Sequence, residues 1–241
     1  MSRDTFLARV RQAAAAGRAY RVGAAGDMAA HGGHGGADPD PAARFADEVE
    51  AAGGFASLVD TLDEARLLLS TILREDACQS ALCWRHPLLD RLRLAELLDA
   101  HAMARHDHDS LSRCSPDQGR AFMLAADVGI SSVDYAIAET GTLALASGPG
   151  RERSTSLLPP LHVAIVESGQ IVPNLFDFFE RLDSSDGSAA SLASNWTLIT
   201  GPSKTGDLEL TLTTGVHGPG RLHVLIVRDS SRALLPPNQP A

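Results

Sequence analysis

At 241 residues, with 44% hydrophobic and 21% charged residues, the chain has a globular composition and enough length to bury a large core. A formal charge of -9 argues against nonspecific binding to nucleic acid or an anionic membrane, while a local pocket for an anionic small molecule stays compatible with it. No apolar stretch approaches the length of a membrane span, and the first residues lack the charged start, apolar run and cleavage site of a secretory leader, so a cytoplasmic protein is expected.

Ser2 is placed to cap a helix running through Ala16, with Phe6, Val10, Ala13 and Ala14 on one face and Gly17 closing it. From Gly23 to Pro41 the composition turns to Gly, Ala, Asp, Pro and His, which reads as a linker or exposed loop. His31 and His34 stand three apart within it, but the surrounding glycines fix no ligand geometry. Residues 1–41 are therefore read as a helical arm with its linker, and residues 42–241 as one α/β domain. Residues 42–52 read as a helix and 55–59 as a short strand. Thr61 and Glu64 have the spacing of a capping box, and Leu62, Ala65, Leu68, Leu69, Ile72 and Leu73 then recur at helical spacing. Residues 80–84 form the next strand and 88–102 a further helix. Strand, helix and strand at these intervals predict a parallel sheet with right-handed crossovers. His101, His106, His108, Asp107 and Asp109 fall in a polar stretch without apolar anchoring and read as a solvated loop rather than a metal site.

Residues 122–128 read as a buried strand, and 129–134 lead into a short helix, capped by Ser131 or Ser132, that ends before Gly141. Residues 142–146 return as a strand. The stretch 148–156 carries Arg151 and Arg153, either as a loop that brings guanidinium groups to an anion or as a solvated turn. Residues 162–166 are a strand and 168–170 a turn; Asn174 opens an amphipathic helix with Leu175, Phe178, Phe179 and Leu182. Residues 183–194 read as a polar surface loop, 196–200 as a strand, 222–227 as the last core strand, and the proline-containing tail after Asp229 as extended. Over 206–214 the signals conflict. Leu208, Leu210 and Leu212 alternate as in a strand, whereas the preceding glycine and hydroxyl residues favour a helix start, and the helix is taken.

Two glycine- and hydroxyl-rich stretches stand apart from this framework. One is Glu139-Thr140-Gly141-Thr142; the other is Gly201-Pro202-Ser203-Lys204-Thr205-Gly206-Asp207, followed by Gly215-Val216-His217-Gly218-Pro219. Glycine lets backbone amides approach a ligand, and hydroxyls with amides at a helix start form an anion cradle. The expected ligand-binding residues are Thr140, Gly141, Thr142, Gly201, Ser203, Lys204, Thr205, Asp207 and Gly218, with Glu139 and His217 as acid and base. The plainer alternatives are a capping or ion-pairing carboxylate for Glu139 and a turn histidine bonded to backbone for His217. Nothing in the sequence brings the stretches together in space.

The run Ala138-Glu139-Thr140-Gly141-Thr142, the 201–207 run and Gly215-Val216-His217-Gly218-Pro219, in that order, resemble the LUD domain of the lactate-utilisation protein C family. The resemblance covers roughly the last half of the chain. It implies a three-layer α/β/α domain with a mostly parallel sheet, like that of the sugar-phosphate isomerase and CoA-transferase superfamily. It also implies a place in a three-component system that oxidises L-lactate to pyruvate, with iron–sulfur clusters in partner proteins. In CoA transferases a glutamate shortly before a glycine attacks the acyl group; Glu139-Thr140-Gly141 is similar, but the rest of that motif is absent, so covalent catalysis is not expected. The residues agree on the absence of redox groups. Cys78, Cys83 and Cys114 are too few for a cubane cluster, which takes four thiolates, and an odd, sparse set fits buried thiols in a reducing compartment. No dinucleotide fingerprint, phosphate loop or nucleophile elbow is present. The reading is a non-redox component, without a cofactor of its own, that binds an anionic small molecule. The alternatives are an independent enzyme acting on a sugar phosphate or acyl-CoA, and a ligand-sensing module without chemistry.

Overall fold

In the computed structural model, which describes residues 3–17, 40–184, 193, 195–206 and 212–228, the chain divides into Met1–Gly36 and Ala37–Ala241. Helix α1 (Arg3–Gly17) belongs to the first unit. Ser2, most of the linker, most of 183–194 and the tail after Asp229 lie outside the described residues.

In the larger unit, side-chain oxygens set the helix starts. Helix α2 (Pro41–Ala51) begins at Asp40, whose Oδ1 accepts from Ala43 N at 3.0 Å, and it buries Phe45 and Val49. Strand β1 (Phe55–Val59) follows. Helix α3 (Leu62–Glu75) starts where the Thr61–Glu64 spacing predicts, with Thr61 Oγ1 accepting from Glu64 N at 3.2 Å. The Glu64 carboxylate reaches back to Asp60 N at 2.8 Å, one residue beyond the usual return of a capping box. Ala65, Leu69, Ile72 and Leu73 are buried, with Leu62 and Leu68 packed at the margin of the core.

Strand β2 (Ser80–Cys83) leads to α4 (Pro87–Arg91) and α5 (Leu94–Ala100), where one helix was expected. Arg93 breaks it by adopting a left-handed backbone, φ +55°. Arg66 Nη1 then donates to the carbonyls of Leu92 and Arg93 at 3.1 and 2.6 Å. The polar stretch after it is not a loop. It forms β3 (Ala104–His106), paired with β2, and α6 (His108–Ser112), capped reciprocally by Asp107 and Ser110. Each histidine there has a partner: His101 Nε2 with Ser70 Oγ at 2.7 Å, His106 stacked on Phe122, and His108 Nδ1 with Glu152 at 2.6 Å.

The segment 115–140 departs most from expectation. A second capping box, Ser115 with Gln118, starts helix α7 (Pro116–Ala125), so residues 122–125 are helical rather than strand. Phe122 and Leu124 are exposed by 40% and 63%, which removes the buried apolar run that suggested the strand. The strand is β4 (Val128–Ser132), and Ser131 and Ser132 are buried within it instead of capping a helix. No helix follows. Residues Tyr135–Ile137 form β5, joined by a tight turn to β6 (Thr142–Ala146). Asp134 secures this hairpin, since its Oδ2 accepts from Ala146 N at 2.7 Å.

Helix α8 (Ser154–Leu157), β7 (Leu161–Glu167), a short 3-10 turn (Ser168–Gln170) and β8 (Ile171–Val172) come next. Asn174 Oδ1 then caps α9 (Leu175–Ser184), accepting from Phe176 N and Asp177 N at 2.9 and 3.0 Å. Phe178 turns inward against Tyr135 and Trp196, whereas Phe179 is half exposed. Strand β9 (Trp196–Thr200) is where it was expected. The helix taken for 206–214 is corrected: β10 (Lys204–Gly206) and β11 (Leu212–Thr214) pair antiparallel, Gly206 opposite Leu212. Leu212 is in a strand, as the period-two alternation suggested; residues 207–211 between the two strands, Asp207, Leu208 and Leu210 included, lie outside the described residues.

Strand β12 (Arg221–Val227) completes a six-stranded parallel sheet of order β1-β12-β7-β4-β2-β3, flanked by helices. Its middle strands are covered on both faces, and so Leu161 to Val166 are uniformly buried instead of alternating. A second sheet, β8-β5-β6-β9, is mixed, and the parallel strand–helix–strand reading did not foresee it. Among the described residues, no helix is long and apolar enough to cross a membrane.

Candidate functional site

Register brings the expected loops together. Thr142 opens β6 directly opposite Thr200, the last residue of β9, so the 139–142 turn and the 201–207 loop leave the same end of the mixed sheet. Their hydroxyls form a chain: Thr140 Oγ1 to Thr142 Oγ1 at 2.6 Å, and Thr142 Oγ1 to Thr200 Oγ1 at 2.8 Å. The 215–219 loop joins through backbone bonds, with Ser203 N donating to Pro219 O and Gly215 N donating to Ser203 O, both at 2.9 Å. A Cβ on Gly218 would stand 3.3 Å from Ser203 Cβ.

Several expected site residues have packing partners that account for them. Gly141 (φ +62°) and Gly201 (φ +79°) lie against the last turn of α2: a Cβ would come within 2.4 Å of Val49 N and 2.6 Å of Ala52 O respectively. Lys204 Nζ donates to Ala52 O at 2.6 Å, satisfying a carbonyl at the end of that helix. Glu139 is exposed, with its backbone N donating to Pro173 O at 3.0 Å. Thr205 is described only in its backbone, within β10.

Ser203, His217, Gly218, Gly201 and Thr200 line a cleft of about 240 Å³ together with Ser156, His162 and Thr197. Leu157, Leu198, Ile199 and Leu222 supply its apolar wall. Glu139, Thr140 and Gly141 are not among the lining residues, and neither is any lysine, arginine or carboxylate among those described. The cleft lies at the amino-terminal ends of β7 and β12, since His162 and Leu222 are the second residues of those strands.

His162 escapes motif reading because it sits inside an apolar strand; the one signal was an ionisable residue in the run His162-Val-Ala-Ile-Val166. It is 1% exposed. Gly129 pairs opposite it in β4, and Ser131, one pleat further on, shares its face. Ser131 Oγ meets His162 Nε2 at 2.8 Å, while Nδ1 is buried with no hydrogen-bond partner. Burial pushes the imidazole down to about 4, so it is neutral near pH 7.

A second ionisable cluster follows the carboxyl ends of β2 and β4. Arg151, one of the two arginines considered for an anion, is committed to Asp134 at 2.6 Å, and the Asp134 side chain is only 6% exposed. Burial pushes the Asp134 carboxyl above its ordinary range, against the pull of the Arg151 guanidinium. Burial, with Arg151 nearby, also lowers His86 to about 4. Asp134→Ala is expected to cost about 3 kcal/mol, because it strands a partly buried guanidinium and the Ala146 N–H. Adding Arg151→Met should recover part of that loss in urea unfolding. Equal losses in the single and double variants would show that the ion pair is not the cause.

Comparison with known proteins places these features in a family. The LUD domain matches residues 42–227. The chain is 33% identical to Lactate utilization protein C of Halalkalibacterium halodurans over 171 residues, which is 71% of each protein. It is 36% identical to Lactate utilization protein C of an Exiguobacterium species over 114 residues, 47% of this chain and 50% of that one. The corresponding Bacillus subtilis protein is 36% identical over 104 residues, 43% of each chain. In fold, the chain is similar to a DUF162 family protein from Deinococcus radiodurans (TM-score 0.53, 23% identity), covering 78% of this chain and 96% of that one.

Proposed function

The chain belongs to the LUD domain family, and on that premise we propose that it serves lactate utilisation, as a non-redox component of an assembly that oxidises L-lactate to pyruvate. The observation that carries this reading is the 33% identity, over 71% of both chains, to a protein named for lactate utilisation. Oxidation of the lactate hydroxyl carbon releases two electrons and two protons, and the electrons leave through iron–sulfur clusters held by partner proteins. Three cysteines cannot supply the four thiolates of a cubane cluster. Burial also pushes the Cys83 thiol up to about 12 and Cys78 up to about 11, which keeps both protonated at neutral pH. The free, unpaired cysteines suit the reducing cytoplasm.

What this chain brings is a binding cleft. Ser156, Thr197, Thr200, Ser203, His162 and His217 line it, a polar lining suited to an anionic small molecule. The test is anaerobic affinity capture of the tagged full chain from its native cells grown on lactate, with mass spectrometry and an iron assay. Cysteine-rich partners with stoichiometric iron are the expected result. A chain that comes down alone and iron-free overturns the assembly.

A further inference from the structure

Building on the reading of the cleft as a ligand site, we infer that His162 is a ligand-binding residue whose Nδ1–H donates to a carboxylate oxygen of a small monocarboxylate. The starting observation is the bare nitrogen. Among the described residues, His162 Nδ1 is the buried side-chain polar atom left without a partner, and it belongs to a residue that lines the cleft. A buried donor or acceptor without a partner is costly, and a ligand atom at that point removes the cost.

The neighbour on the other side of the ring sets which kind of atom is wanted. Ser131 is fully buried, and the hydrogen bond of its Oγ is to His162 Nε2. A buried hydroxyl proton needs an acceptor, so Ser131 donates and Nε2 accepts. In a neutral imidazole the proton then resides on Nδ1, which makes the unpartnered atom of this cleft-lining residue a donor. Burial holds the ring neutral, at about 4, so the donor carries no net charge. Gly129 completes the arrangement, because without a side chain it lets the backbone of Thr155 settle on the sheet beside His162 and places Ser156 in the cleft wall.

The charge of the ligand follows from the lining. Hydroxyl and imidazole groups offer hydrogen bonds, but no lysine or arginine is among the described lining residues. A phosphate dianion would lose its hydration there without a counter-charge, whereas a monocarboxylate incurs about a quarter of that desolvation, which scales with the square of the charge. Leu157, Leu198, Ile199 and Leu222 accept the hydrocarbon end of such an acid. The cleft thus disfavours a sugar phosphate or the phosphate groups of an acyl-CoA.

The experiment uses the full chain with 15N-labelled histidine, read by long-range proton–nitrogen correlation near pH 7. L-lactate, pyruvate and inorganic phosphate are the probes. The ring signals that His162→Phe deletes are expected to show a protonated Nδ1 and to shift saturably with L-lactate or pyruvate. His162→Phe should bind those acids about tenfold more weakly. Ser131→Ala frees Nε2 to take the proton, turns Nδ1 into an acceptor and should weaken binding as well. It decides the matter if His162→Phe fails to fold. Response to phosphate alone, response to none of the probes, or unchanged affinity in both variants overturns the inference. Capture of iron–sulfur partners does not depend on these signals, so the assembly can stand while His162 stays silent.

Discussion

Acidification from about pH 7 to about pH 4.5 is expected to remove on the order of 5 kcal/mol of folding stability, mostly through two histidines. His86 and His162 are each lowered from an ordinary value of 6.5 to about 4, in both cases chiefly by burial. The unfolded chain therefore takes up two protons as the pH falls through 6.5, while the native chain refuses them until about 4. In that window the unfolded state binds more protons, so stability rises with pH and falls on acidification. Each histidine contributes about 2–3 kcal/mol of the loss by pH 4.5, since every tenfold difference in proton affinity between the two states is worth about 1.4 kcal/mol. Asp134 works in the opposite direction. Its raised carboxyl takes up a proton more readily in the native state, which offsets part of the loss. Urea unfolding at a series of pH values measures the slope. His162→Phe should flatten it by about half, and so should His86→Asn, which keeps a side-chain cap for α4 in place of the His86 Nδ1 that accepts from Leu88 N. A stability that stays level from pH 6.5 to 4.5 would mean that the fold accommodates both imidazolium ions.

Gly129→Ala is expected to cost about 3 kcal/mol or more, for one methyl group. An ideal Cβ at Gly129 lies 1.7 Å from the Thr155 carbonyl oxygen and 2.8 Å from its carbon. Both atoms are backbone, so no rotamer change relieves the clash. Helix α8 must lift from the sheet, or β4 must shift within the ladder it makes with β2 and β7. Lifting α8 moves Ser156 and Leu157 out of the cleft wall, so the same change should also weaken ligand binding. Gly119→Ala is the control. It lies inside α7, and the nearest atom to its Cβ is Leu111 O at 3.9 Å. That change should be neutral or stabilise the chain by up to about 1 kcal/mol. Urea midpoints that fall equally for the two alanines would show that the Thr155 contact yields.

Elements whose hydrogen bonds and periodicity are local can be read directly from the order of residues. Thr61 with Glu64, Asn174 at the start of α9, the strand over 55–59 and the strand over 196–200 are found where a short window of residues places them. The parallel direction of the main-sheet strands follows from strand–helix–strand spacing, and the family resemblance rested on three stretches, two set side by side by the register of the mixed sheet and the third joined to them by backbone bonds. What local reading missed in 115–140 has two sources. The Ser115–Gln118 capping box was legible and outranks the apolar run after it. Gly129, Ser131 and Ser132 were not legible as strand, because glycine and serine favour turns and caps when judged alone. They occupy a central strand for tertiary reasons: Gly129 makes room for the Thr155 backbone, and Ser131 holds the ring of His162.

The site divides along the same line. The glycines at 141 and 201 and the amine of Lys204 were visible as a pattern, but only the fold shows that they rest on the end of α2, with Lys204 and Ala52 separated by 152 residues. His162 was invisible as a functional candidate for the complementary reason. Its one hydrogen-bonding partner lies 31 residues away on a neighbouring strand, and its bare nitrogen exists only because β7, β4 and α8 are packed together. A local window encodes bonds that close within a few residues; the protonation and the partners of a buried group depend on which distant backbone is laid beside it.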